Sequence, residues 1–455
     1  MRHIYSKILL CIALVVGCGQ DPDPGPTPAA SQIDPPGSTQ TGNALFAEGR
    51  TLQARAHFKS AEDLYRQAIA LEANNAQYHY YLGTVLHATS RFADARTHFE
   101  KAIALKKDYA APHIALGKLV YDIEGDATTA RQLLAAALAL APQANEARFT
   151  LAIIHQREGE LDEATRLFAE LVESDSSNAQ ARAQLGLVHL QAGRIEEAQT
   201  QLQKAARALP YYSPVYLGLG QSYLRQGQVE LGQRLLDRAR QLEEEATQLK
   251  PHQDALRQSP DTPQAHYNLA SLYSRFGRLR DSAEHYSRAI SLDSTYALAY
   301  QGLGNLYQRL GTTPEARATY ASRARALYLR ALDFNPILAE SHNNLGLLLH
   351  GTGDVSGAIE HYAKAAEIDQ ATGFYQANLS RAYFDVQEMD KARQAAQQAL
   401  VINSSLSAAR ETLGDIHAAE GDLQLALEQW QSISDEHTTP SLEKKIEDAR
   451  KHISR

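Results

Sequence analysis

The chemically capable residues of this 455-residue chain are two cysteines, 17 histidines and a concentration of side-chain amides. Cys11 and Cys18 both stand among the first eighteen residues, so the body of the chain can hold no disulfide framework, thiolate metal cage or catalytic thiol. The histidines are scattered and none forms an HExxH pair. His189 and His417 occupy positions filled elsewhere by Tyr or Leu, which reads as packing, while His285 and His361 precede Tyr286 and Tyr362 at surface positions. The sequence has no GxxxxGK(S/T) loop, GxSxG elbow or GxGxxG turn after a strand. Glu196 and Glu197 open a helix, where carboxylates complement the dipole without any catalytic role. The expectation is a protein that is not an enzyme and takes no cofactor or metal. Amide chemistry remains. A primary amide donates and accepts at once, so it can pair with both groups of a peptide unit whatever the side chains.

Hydrophobic residues make up 44% and charged residues 22%, which suits a folded protein. A net charge of −8 argues against a general nucleic-acid binder, which needs a basic face to displace counterions. Two methionines exclude a flexible Met-rich binding surface. Neither nucleic acid nor a small-molecule substrate is an expected partner.

The elements that position the amides follow an internal period. A Leu-Gly or Leu-Ala step recurs at Leu82, Leu116, Leu151, Leu185, Leu219, Leu269, Leu303, Leu345, Leu379 (with Ser380) and Leu413, and a weaker copy sits at Glu48-Gly49. The spacing is 34 residues, with one interval of 35, one of 50 and one of 42. Each copy carries a second half in which a small residue, an aromatic and an alanine follow at helical spacing, as in Ala95, Phe99, Ala102 and Ala358, Tyr362, Ala365. Glycine marks the end of the first helix at Gly159, Gly227 and Gly311, and Pro142, Pro210 and Pro336 close second helices. No strand pattern interrupts this.

From residue 42 to 440 the chain resembles the tetratricopeptide repeat family. The resemblance implies an all-α, right-handed superhelical solenoid of about eleven helix–turn–helix repeats, each too small to bury its apolar face alone. Small residues at the step allow close helix approach, and the Phe or Tyr of the second helix is expected to fill the gap between neighbouring hairpins. Most of the 22 tyrosines are thereby assigned to packing. The interval of 50 places 16 extra residues, with Pro251, Pro260 and Pro263, between two runs of repeats at 42–246 and 263–440. The second helix of the sixth hairpin is expected to run on through Leu242 and Leu249, and 247–262 is read as a seam, either a hinge or a rigid extended helix. The interval of 42 lengthens a second helix to Pro314–Asp333, whose Arg317, Arg323, Arg325 and Arg330 form either a docking element or a solvated face. Residues 441–455 read as a polar capping helix.

In this family the groove is lined by first helices. There the second run offers Gln264, Asn268, Ser271, Gln301, Asn305, Gln308, Asn343, Asn344 and Asn378. Asn268, Asn344 and Asn378 directly precede the leucine of the step and resemble an asparagine ladder that grips an extended peptide backbone, with Gly302 as an interruption. The groove lacks the basic residues of the carboxylate-clamp variety, so capture of an acidic C-terminal peptide by that mode is not expected.

Residues 1–17 read as an export signal. Arg2, His3 and Lys7 precede a nine-residue apolar run, Ile8 to Val16, too short to span a bilayer. The run ends in Val15-Val16-Gly17-Cys18, which resembles a bacterial lipobox and implies lipidation of Cys18. Residues 18–41 hold six of the chain's 16 prolines and read as a tether reaching about 70 Å at roughly 3.1 Å per residue. With Gly19 after the cysteine, the expected location is the outer membrane, facing the periplasm. The expected function is a membrane-tethered scaffold of the bacterial cell envelope that binds proteins or extended peptides in its groove. The alternatives are a substrate-recruiting arm of an envelope enzyme and a glycan- or solute-binding module.

Overall fold

The computed structural model describes residues 41–311, 314–433 and 439–453. Cys18, the export segment, and all of the proline-rich tether except Thr41 lie outside the described residues, as does the side chain of Arg317. The described residues contain 23 α-helices and no strand, and they form two bodies divided between Pro260 and Asp261. None of these helices is long and apolar enough to cross a membrane.

In the N-terminal body consecutive helices pair as hairpins. The first three are α1 (Gly42–Ala54) with α2 (Phe58–Leu71), α3 (Ala76–Ala88) with α4 (Phe92–Leu105), and α5 (Ala110–Leu119) with α6 (Ala127–Leu140). Then come α7 (Asn145–Arg157) with α8 (Leu161–Ser174), α9 (Ala179–Gln191) with α10 (Ile195–Ala208), and α11 (Ser213–Arg225) with α12 (Val229–Gln258). In the C-terminal body α13 (Pro263–Arg275) pairs with α14 (Leu279–Leu292), and α15 (Ala297–Leu310) with α16 (Pro314–Phe334). Next are α17 (Ala339–Gly351) with α18 (Val355–Ile368), α19 (Gly373–Asp385) with α20 (Met389–Ile402), and α21 (Ser407–Ala419) with α22 (Leu423–Gln431). The unpaired α23 (Pro440–Ile453) lays Leu442 and Ala449 against Trp430 and Ile433. Each body is a solenoid of hairpins.

The hairpin closes on one contact. The small residue after the step leucine leaves a notch on the first helix, and a large side chain 16 residues later fills it. A Cβ added at Gly83 would stand 2.6 Å from the Phe99 ring, and one at Gly346 would stand 2.7 Å from the Tyr362 ring. The same clash would arise between Gly186 and Leu202 and between Gly49 and Tyr65. These rings and leucines are almost fully buried. The ring therefore seats first within its own hairpin, a correction to the expectation that it fills the gap between hairpins. Tyr286 does both, since its ring also backs Gly302 of the next first helix.

The irregular intervals are absorbed without losing this contact. The interval of 35 is taken up by a wide π turn at Val120–Glu124, which moves the partner of Gly117 to Leu134, one residue later. The eight extra residues lengthen the start of α16, so the partner of Gly304 is Tyr328. On that helix Arg323 lies over the Tyr307 ring and Arg330 pairs with Asp333 at 3.6 Å, whereas Arg325 is exposed. The 16 extra residues become helix. α12 continues to Gln258 through an exposed Pro251, so most of 247–262 is helical. Buried Ala239, Leu242 and Leu249 keep its apolar stripe at helical spacing.

Most turns from first to second helix hold a glycine at positive φ, including Gly159 (80°) and Gly227 (77°). Gly311 departs from this, with φ of −72°. The loops between hairpins are fastened by the residue four before the notch, which donates to a carbonyl six residues earlier. Arg148 reaches Pro142 at 2.7 Å, Arg182 reaches Ser176 at 2.8 Å, Tyr216 reaches Pro210 at 3.0 Å and Tyr300 reaches Ser294 at 3.1 Å. In these hairpins an otherwise unpaired loop carbonyl is thus satisfied.

Alanine already occupies the notch at Ala152 and Ala270, so valine is the sharper test. Gly83→Val should destabilise the N-terminal body by about 1–3 kcal/mol through overpacking against Phe99. Denaturant titration of the purified variant checks this, and an unchanged midpoint would remove the notch from its central place.

Candidate functional site

The amides of the C-terminal body are joined sideways, helix to helix. Asn344 of α17 donates to Asn305 Oδ1 of α15 at 2.9 Å, and Asn343 donates to Asn344 Oδ1 at 3.1 Å. Asn378 of α19 donates to Asn343 Oδ1 at 2.7 Å. The hydroxyl of the notch residue Tyr328 donates toward Asn305 Oδ1 at 2.7 Å and lies 2.8 Å from Gln308 Oε1. Gln301 Nε2 and Asn305 Nδ2 both donate to the Glu340 carboxylate, at 2.7 and 2.8 Å, and Ser341 donates to Gln301 Oε1 at 2.8 Å. This row crosses three successive first helices.

The expected groove residues therefore divide. Gln301 and Asn343 are buried, at 9% and 3% exposure, and their amides are committed inside the protein. Asn305, Asn344 and Asn378 are half-buried at the surface of the row. Gln264 and Asn268 form a separate pair on α13, with Gln264 Nε2 donating to Asn268 Oδ1 at 2.7 Å. The Tyr296 hydroxyl, at the start of α15, donates to Gln264 Oε1. Ser271 pairs with the Tyr286 hydroxyl at 3.0 Å. Gly302 faces the Tyr286 ring and so does not interrupt the row. Among the described residues, Asn378 Oδ1 and Asn268 Nδ2 have no protein partner. Sequence reasoning missed Glu340, whose only signal is its place four residues before Asn344, one helical turn away on the same face.

Models of the tetratricopeptide repeat match residues 46–110, 123–188, 189–250 and 294–371, and a further TPR repeat model matches 276–311. The chain belongs to the tetratricopeptide repeat family. Among solved structures, yeast Tom70 is similar over 91% of this chain and 96% of its own, at 13% identity and a TM-score of 0.34. YrrB, described as a TPR protein with an unusual peptide-binding site, matches 45% of this chain and 98% of its own, at 19% identity and a TM-score of 0.36. MamA from Desulfovibrio magneticus RS-1 matches 37% of this chain and 95% of its own, at 17% identity and a TM-score of 0.35. Among curated protein sequences none matches this chain.

Two features of this repeat protein lie outside the amide row. On the first-helix face of the N-terminal body a hollow of about 190 Å³ opens between Tyr80, Thr84, Phe99 and Ile114. Lys118 and Glu146, paired at 2.6 Å, stand at its edge beside His87, whose pKa burial lowers.

The histidines supply the second feature and a correction. His285 and His361 are half-buried, not at the surface, and each pairs with a histidine on its first helix. The Nδ1 atoms of His79 and His98 lie 2.9 Å apart, those of His266 and His285 2.8 Å, and those of His342 and His361 3.0 Å. All three pairs share one register, four before the notch and one before its filler. The loop-fastening bond sets the tautomer. His79 Nε2 meets Ala73 O at 3.0 Å and His342 Nε2 meets Pro336 O at 3.1 Å, and a carbonyl only accepts. Nδ1 of His79 and His342 therefore accepts, and His98 and His361 donate. Burial, then the neighbouring imidazole, lowers the pKa of His98, His285 and His361, with His285 at about 4. Arg91, Arg278 and Arg325 push the same way, and Asp94, Asp281 and Asp354 oppose them. Among the described residues no group of three or more His, Cys, Asp or Glu could hold a metal.

The fold favours the neutral imidazoles, so the unfolded chain binds more protons between the ordinary histidine value near 6.5 and the lowered ones. Stability should be full above about pH 6.5 and decline toward pH 4. Gln201 pairs with Arg182 in the same register, so glutamine is a compatible substitute. The His98→Gln, His285→Gln, His361→Gln variant should lose less thermal stability between pH 7.5 and 5 than the parent. Equal losses would exclude the pairs as its cause.

The buried amide makes a second expectation. Asn343→Ala leaves Asn378 and Asn344 each short of one bond and should cost about 1–3 kcal/mol. Chemical denaturation of the C-terminal body is the measurement.

Proposed function

We propose that this tetratricopeptide repeat protein is a membrane-tethered, non-enzymatic scaffold of the bacterial cell envelope that holds extended segments of partner proteins. The observation that carries the reading is the cross-linked amide row of the C-terminal body, together with the separate Gln264–Asn268 pair, in which Asn378 Oδ1 and Asn268 Nδ2 are still free to accept from and donate to a passing backbone. Hydrogen bonds fix these amides before a partner arrives, which lowers the entropy lost on binding. The lipobox-like Cys18 supports attachment through an acyl anchor at the outer membrane, facing the periplasm. Several acyl chains hold firmly where one is marginal.

Affinity capture from native membranes tests both halves. The parent should retain envelope proteins, and Asn268→Ala, Asn344→Ala, Asn378→Ala should lose them while keeping its helical circular dichroism. Cys18→Ser should move the protein from the membrane to the soluble fraction. Unchanged capture by the triple variant would refute the amide face, and unchanged fractionation would refute the anchor.

A further inference from the structure

Glu340 stands at the start of α17 as an exposed carboxylate, and its two oxygens are held by Gln301 and Asn305 of the preceding hairpin. Both holders are themselves fixed, Gln301 by Ser341 and Asn305 by Asn344 and the fully buried Tyr328. The carboxylate is therefore ordered, yet every donor to it is neutral. No ion pair among the described residues involves Glu340. Its charge helps to raise the pKa of Tyr286, Tyr328 and Tyr375, while Arg309, the basic group that also acts on Tyr286, is bound to Ser274 at 2.8–2.9 Å. The other acids of this face are treated differently. Asp415 is bound by Arg381 at 2.9 Å and Lys445 at 2.7 Å, and Glu411 by Lys445 at 2.8 Å.

The surroundings of Glu340 are apolar as well as polar. Asn344 and Leu347 follow at the helical spacing that keeps them on the Glu340 side of α17, and Leu347 is 39% exposed. On α19 Phe374, 45% exposed, precedes Asn378 by one turn. An uncompensated carboxylate thus lies beside amides that can pair with a peptide backbone and two exposed apolar side chains.

We infer that the segment bound by the C-terminal body is an extended peptide carrying an arginine or lysine next to an apolar residue, with the cation on Glu340. This inference rests on the peptide-binding reading of the amide face. Each Glu340 oxygen accepts one amide bond and keeps a lone-pair direction free, so an arginine fork can engage both. The apolar neighbour of the cation covers Leu347 or Phe374, and the backbone between runs past Asn344 and Asn378.

A phage-displayed library of random linear peptides, panned on the purified full chain, tests this. Enriched sequences should share a Lys or Arg at one position beside an apolar residue. A synthetic peptide of that consensus, followed by fluorescence anisotropy, should lose about tenfold or more in affinity to Glu340→Gln, which removes the charge and keeps the shape. Glu340→Lys should instead enrich peptides with Asp or Glu at that position. Enrichment without a basic residue, or equal affinity for the parent and Glu340→Gln, would overturn the inference while leaving peptide binding intact. Failure to enrich any peptide on the parent would overturn peptide binding itself.

Discussion

The fold of this protein depends on a large side chain from nearly every second helix entering a notch on the first helix of its hairpin. The notch exists because the residue after the step leucine is Gly, Ala or Ser, and in all but one hairpin a Tyr, Phe, Trp or Leu fills it, 16 residues later except where the insertions move it to 17 (Leu134) and 24 (Tyr328). The exception is at Ser380, where the residue 16 positions on is Ala396, and small meets small. A hairpin closed this way still has apolar surface on both sides, so it persists only by stacking on the next. The insertions show how strong the constraint is. One extra residue becomes a π turn and eight become two helical turns, and each time the notch keeps its filler.

A second repeat-borne device fastens the loops. The residue four before the notch reaches back to a loop carbonyl, and Arg, Tyr and His all serve because each offers a donor on a long or flat side chain. Three of the histidine copies then acquire a histidine partner on the second helix. Six of the histidines that look scattered in sequence are thus two repeat positions reused in three hairpins. The lowered pKa of these second-helix histidines follows from their burial in that packing.

The amide face obeys the same logic of mutual support. Asn305, Asn344, Asn343 and Asn378 would each be poorly held alone, but their bonds run from one first helix to the next and end on Tyr328, itself a notch filler. The packing contact that closes a hairpin therefore also aims the polar face. Glu340 is the one carboxylate drawn into this row, and its charge is left for something outside the row to meet.

The period, the all-helical class, the family and the crowding of amides on first helices were all legible in the residue order. Each depends on short-range spacing, and a 34-residue repeat writes the same spacing many times over. The partner of each side chain was not legible. Gln301 and Asn343 look like Asn305 and Asn378 in sequence, yet they are buried, because helix rotation against the neighbouring hairpin decides which side of an amide row faces inward. The histidine pairs, 19 residues apart, and the union of Gln301 with Glu340, 39 apart, arise only when hairpins close and stack. Residue types and spacing determined what could be built at each position. Tertiary packing alone decided which donor met which acceptor, and so which charge was left without a partner.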